Sequence, residues 1–346
     1  MGGSYYSGGQ GVEQDYRKAA EWYRKSAEQG YAPGQFHLGG CYYSGHGVEK
    51  DYRKAAEWWR KAAEQGYAWA QWHLGYLFYD GEGVAQDYRK AVDWYRKAAD
   101  QGLAEAQNYL GKCYNEGTGI SKDYRKAVEW YRKAAEQGHA VAQDNLGSCY
   151  YNGEGVEQDY GEAIEWFRKA AEQDYAPAQY NLGACYCSGD GVEQDYQKAV
   201  EWLQKAAEQG TSEAQWLLGA LYSNGEGVAE DYRKAAEWYR KAANQGDADA
   251  QHSLGDCYYN GEGVDKDYRK AVEWYQKAAD QGHAWAQVAL GLCYMSGEGV
   301  EQDDWEARNW LERAAVCGED DEGLQETVQN GLKFLEDKLE DLYNLP

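Results

Sequence analysis

Proline is nearly missing from this chain, at 3 residues in 346. Turns must therefore be made another way, and 42 glycines are there to make them. Cations are also short. Lys and Arg total 35 against 59 Asp and Glu, for a formal charge of −24. A field of that sign disfavours nucleic acid and other polyphosphates and favours a partner with a basic face. No apolar run approaches the roughly 20 residues that span a bilayer, so membrane insertion is not expected. The opening MGGSYYSGG has neither the basic start nor the apolar stretch of a secretory leader. No HExxH occurs and no Ser sits in a nucleophile elbow, so no enzyme is expected.

What the chain has instead is one phrase, repeated. DYRKAAEWWRKAAEQG at 51–66 recurs from Asp15, Asp87, Asp123, Asp159, Asp195, Asp231, Asp267 and, worn down, Asp303. The step is 36 residues each time, and a Trp recurs in each copy from Trp22 through Trp58 to Trp310. A fixed period of this size predicts stacked helical units. Chain length alone suggests several domains, but the unbroken register predicts one elongated array over 1–318, followed by a terminal helix over 319–346.

Each unit reads as two helices. In 32–50, Gln35, Leu38, Gly39 and Tyr42 fall at i, i+3, i+4, i+7 and predict one packed face of a first helix. A Gly-x-Gly-Val turn at 45–48 ends it. Asp51 is the expected N-cap of the second helix. Ala55, Trp58, Ala62 and Ala63 are its expected buried stripe, with Trp58 filling the gap between units. Gly66 is expected to close that helix in left-handed geometry, and Asp174 takes the role in one copy. On the outside, Arg53 with Glu57, Glu57 with Lys61 and Arg60 with Glu64 have the spacing of helical ion pairs.

Six of the 8 cysteines, Cys41, Cys113, Cys149, Cys185, Cys257 and Cys293, share one repeat position, which Leu77 and Leu221 fill elsewhere. Exchange with Leu marks a small apolar packing site. Stacked helices about 10 Å apart cannot bridge there. Free thiols predict a reducing compartment and a cytoplasmic protein. At the ends, YYSG at 5–8 echoes 42–45, so 1–14 read as the trimmed remains of a unit. Leu324, Val328, Leu332, Leu335, Leu339 and Leu342 predict one apolar face of the terminal helix, behind Glu319 to Glu322 at its start.

The unit A-x-A-Q-x-x-L-G-x-x-Y-x-x-G-x-G-V-x-x-D-Y-x-K-A-x-x-W-Y-x-K-A-A-x-Q-G resembles the Sel1-like repeat family, relatives of the tetratricopeptide repeat. The resemblance covers roughly 5–318. It implies an all-α, right-handed superhelical solenoid of helix-turn-helix repeats and adaptor or scaffold work. It brings no catalytic motif. One branch carries a Cys pair in each repeat, whereas this chain mostly has one.

Comparison of the copies shows where they differ. Positions equivalent to 33, 36, 37, 40 and 44 vary and share one face of the first helix. Phe36, His37, Trp69, Trp72, His73, Tyr76, Tyr109, Lys112, Asp144, Tyr180, Trp216, His252 and Trp285 occupy it. By analogy with the family, this face is concave. Trp and Tyr are frequent binding anchors, so a protein or peptide partner, with Lys or Arg for cation–π contact, is the expected ligand. The competing reading packs these rings against the next unit. A carbohydrate-binding strip and a structural spacer are the rival functions. No cofactor is expected, and His37 and His73 sit too far apart to share a metal. A monomer is expected, with end-to-end association through the trimmed end as the exception.

Overall fold

The computed structural model describes residues 2–7, 14–318 and 320–343, with side chains at 3–7, 14–318 and 320–338. Glu319, Leu339 and Leu342, and Gly8 and Val12 of the N-terminal stretch, fall outside those described side chains. Among the described residues there are 19 helices and no strand.

Two compact units divide the chain, Met1–Gln173 and Asp174–Pro346. The first holds α1 (Gly2–Ser7), α2 (Tyr16–Glu28), α3 (Ala32–Ser44), α4 (Tyr52–Glu64), α5 (Ala68–Asp80), α6 (Tyr88–Asp100), α7 (Ala104–Glu116), α8 (Tyr124–Glu136), α9 (Ala140–Asn152) and α10 (Tyr160–Ala171). The second holds α11 (Ala176–Ser188), α12 (Tyr196–Glu208), α13 (Ser212–Asn224), α14 (Tyr232–Asn244), α15 (Ala248–Asn260), α16 (Tyr268–Asp280), α17 (Ala284–Ser296), α18 (Asp304–Cys317) and α19 (Glu322–Tyr343). Within each unit, every odd-numbered helix from α3 to α17 packs on the even one after it, and hairpins stack in order.

The ends of these helices follow from their residues. Asp51 accepts from the Lys54 N–H at 3.0 Å and caps α4, and its own N–H donates to the Tyr42 carbonyl at 2.8 Å. Gly45 ends α3 at φ 76°. Gly47, also at φ 76°, lies against the start of α2, where a Cβ would fall 2.0 Å from the Tyr16 carbonyl oxygen. Here glycine serves close approach as well as backbone freedom. Asp174 takes φ 61°, the left-handed geometry expected of it.

The buried stripe of the second helix differs from expectation: Ala56 joins it and Trp59 takes the place of Trp58. In α4 it comprises Ala55, Ala56, Trp59, Ala62 and Ala63. Trp59 presses on Gly39, and the same contact joins Tyr95 to Gly75 and Phe167 to Gly147. The recurring Trp58 stays half-buried, with Lys61 Nζ 4.0 Å above its ring. Lys97 over Trp94 and Lys241 over Trp238 repeat this at 3.9 and 3.6 Å. Trp22 is 40% exposed, whereas Trp310 is buried. The lysine that would pair with Glu57 is thus drawn to the indole face. Among the described residues, none of the three expected ion pairs of α4 closes. The ion pair that recurs instead joins the cap to the first turn, as in Lys54 to Asp51 at 3.3 Å.

A buried glutamine ties seven of the hairpins together. Gln35 Nε2 donates to the Ala27 carbonyl, while its Oε1 accepts from Gln65 Nε2 at 2.7 Å. Gln71 with Gln101 and Gln215 with Gln245 repeat the link at 2.7 and 2.8 Å. All eight cysteines are free, and the six at the shared position are buried. Burial pushes the Cys113 thiol up to about 12. The terminal helix α19 sets Leu324, Val328 and Leu335 against Val288, Leu311 and Ala314, with Leu332 partly buried beside them.

Candidate functional site

In the first unit, the variable face of α3, α5 and α7 carries a cluster of rings. Trp69 is 38% exposed, and its ring stands at 84° to that of Trp72, 5.9 Å away. Trp72 reaches Tyr109 of the next repeat at 5.8 Å, and Tyr109 meets the buried Tyr95 at 5.3 Å. His73 is wedged between Trp72 at 4.5 Å, Trp59 at 4.7 Å and Phe36 at 5.1 Å. Its Nδ1 lies 2.8 Å from the Trp69 carbonyl, which only accepts, so that nitrogen bears the proton. Burial lowers the His73 pKa against the upward pull of that bond and of Glu105. Trp72 Nε1 is buried without a hydrogen-bond partner among the described residues.

The other expected residues of this unit lie apart from the ring pair. His37 is exposed and stacks on Tyr23 at 4.8 Å. Tyr76 faces Asp80, whose carboxylate raises its phenol pKa. Lys112 is exposed and reaches Glu116 at 3.7 Å. Asp144, within α9, is only 8% exposed. Its neighbour Asn145 donates to Asn108 at 3.0 Å.

The second unit is more polar. Tyr180 is half-buried, and burial first, then Glu213, Asp247 and Asp249, raise its pKa. Trp216 Nε1 donates to Ser253 Oγ at 3.1 Å. His252 stacks on His283 at 4.8 Å, with Asp256 3.5 Å from His252 and Asp249 3.2 Å from His283. Trp285 is 40% exposed and donates to Asp321 at 3.0 Å.

A lateral rule runs through both units. Trp72 meets Tyr109, Asn108 meets Asn145 and Trp216 meets Ser253, each pair 37 residues apart. The rings of the variable face therefore pack between repeats and still leave Trp69, Trp285 and His37 open. Tyr67, which packs on Phe36 at 5.3 Å, and His283 belong to this face and were missed by the periodic pattern. They precede the first helix at one repeat position, and variation there was the available signal. Among the described residues, no cluster of three His, Cys, Asp or Glu is placed to hold a metal. No described helix is long and apolar enough to cross a membrane.

Ring planes beside carboxylates suit recognition of cationic and apolar side chains. The sequence model of the Sel1 repeat matches residues 1–31, 32–67, 70–103, 104–139, 140–175, 176–211, 212–247, 248–283 and 286–318. The chain is similar to c5321, a protective antigen of uropathogenic Escherichia coli strains displaying an SLR fold. Identity is 34%, TM-score 0.56, with 97% of this chain and 86% of that one covered. It is also similar to a Sel1 repeat protein of Oxalobacter formigenes, at 34% identity and TM-score 0.65, over 90% of this chain and 89% of that one. No curated protein matches it. Proteins built of this repeat generally mediate protein–protein interaction and are generally non-enzymatic scaffolds. With matched copies running from residue 1 to residue 318 in the register of its glutamine links and Asp caps, the chain belongs to the Sel1 repeat family.

Proposed function

We propose that this protein is a non-enzymatic scaffold that holds a partner protein or peptide on the variable face of its first helices. The observation that carries this is the exposure of Trp69 and Trp285. Two indoles at one repeat position keep about two-fifths of their surface open, although large rings left in water favour association. The partner presents Lys or Arg side chains: carboxylates at Glu105, Glu213 and Asp249 lie on the same face, and the net charge of −24 speeds encounter with a basic segment. The array occupies 1–318, α19 closes it by covering the last hairpin, and the protein works as a monomer.

Affinity capture from the native cell with wild type and the Trp69→Ala, Trp72→Ala double variant tests this. Circular dichroism verifies that the fold is kept. Capture is expected to fall at least tenfold, since buried aromatic anchors contribute about 2 kcal/mol or more each. Undiminished capture by the folded variant overturns the proposal.

A further inference from the structure

The glutamine link fails at one place. In seven hairpins the buried Gln of the first helix accepts from a Gln thirty residues on, at 2.7–2.8 Å. In the last hairpin the donor position holds Cys317. Gln287 keeps its other bond, from Nε2 to the Ala279 carbonyl at 3.1 Å. Its Oε1 is buried with no partner among the described residues, and Gln287 is 1% exposed. Gln287 and Cys317 line a surface notch of about 530 Å³, together with Asp280, Asn309, Glu312 and Arg313. The residues that line the notch come from the end of α16, from α17 and from α18.

We propose that this notch is a binding site for a side-chain carboxamide, a Gln or Asn presented by another polypeptide. The molecule supplies the template for its own ligand. In each of the seven intact links a carboxamide N–H meets the equivalent Oε1, and in five of them it also meets a carbonyl in the last turn of its own helix. A buried carbonyl without a donor is costly, and a neutral N–H donor relieves that cost. Carboxylates are poor ligands here, because they offer no proton and Asp280 and Glu312 repel them. The site is separate from the ring-bearing face and goes beyond the scaffold reading.

Cys317 is exposed, so disulfide exchange reads the notch directly. The Cys187→Ser chain is equilibrated with the disulfides of 3-mercaptopropanamide and of methyl 3-mercaptopropanoate, under graded 2-mercaptoethanol. Intact mass spectrometry measures each mixed disulfide. The two probes are neutral and nearly isosteric, and only the first donates N–H. The carboxamide adduct is expected to withstand about tenfold more reductant. Cys317→Ser removes both adducts. In parallel, Cys317→Gln is expected to raise Tm by about 2 °C over Cys317→Ala, because the chain then supplies its own donor. Equal persistence of the two probes, or no rise in Tm, overturns the proposal.

Discussion

At Gly75, a single hydrogen atom stands where any other residue would place a methyl group. A Cβ there would lie 2.8 Å from Cδ1 and Cε1 of Tyr95, a ring that is itself fully buried. Overpacking of this kind costs about 1–3 kcal/mol, partly offset by the better helix propensity of Ala. Gly75→Ala is therefore expected to lower stability by about 1–2 kcal/mol, read as a shift in the urea midpoint. At this scale the sequence was legible only up to a point. Trp58 and Trp59 stand at i+3 and i+4 from Ala55, and both spacings put a side chain on the packed face. Which of the two enters the core depends on the glycine opposite and on Lys61, three residues on. Invariance pointed to the wrong ring because it marks the Lys stack, not the interior.

Helix ends show what each element contributes. Second helices begin with Asp, whose pKa is lowered in Asp15, Asp51, Asp87, Asp123, Asp195 and Asp267, first by the backbone N–H three residues on. A depressed carboxylate adds stability above its unfolded pKa and loses it as pH falls through the folded value. First helices have more varied starts. α9 begins with His139, whose Nδ1 accepts from the Ala142 N–H at 3.2 Å and so must be unprotonated. Burial lowers the His139 pKa. The folded chain then holds fewer protons than the unfolded one, so stability falls as pH drops below about 6.5. His139→Asn keeps a cap acceptor without the titration. It is expected to flatten the urea midpoint between pH 7 and 5 relative to wild type, and an unchanged slope would count against the cap.

Across the whole molecule, charge and repetition set the behaviour. The excess of acids makes capture of a basic partner sensitive to salt. Raising NaCl from about 0.05 to about 0.5 M is expected to weaken it several-fold, because the screening length falls from over 10 Å to under 5 Å. Salt-insensitive capture would place recognition on apolar contact alone. Repetition, for its part, made the fold readable: the same caps, glycines and packed positions return every 36 residues, and each copy testifies for the others. The candidate site had no such redundancy, since its positions are those where copies differ.

The helix pairs, their caps, the Asp174 turn, the unpaired cysteines and the variable face were all legible in the residues alone. These depend on neighbours within one repeat, and local spacing records them. Folding had to settle that Trp59 enters the core in place of Trp58, that Trp72 leans on Tyr109 while Trp69 stays open, and that Gln287 has no donor among the described residues. Each of these is a contact between residues separated by a hairpin or more. Only packing of one helix on the next brings such residues together.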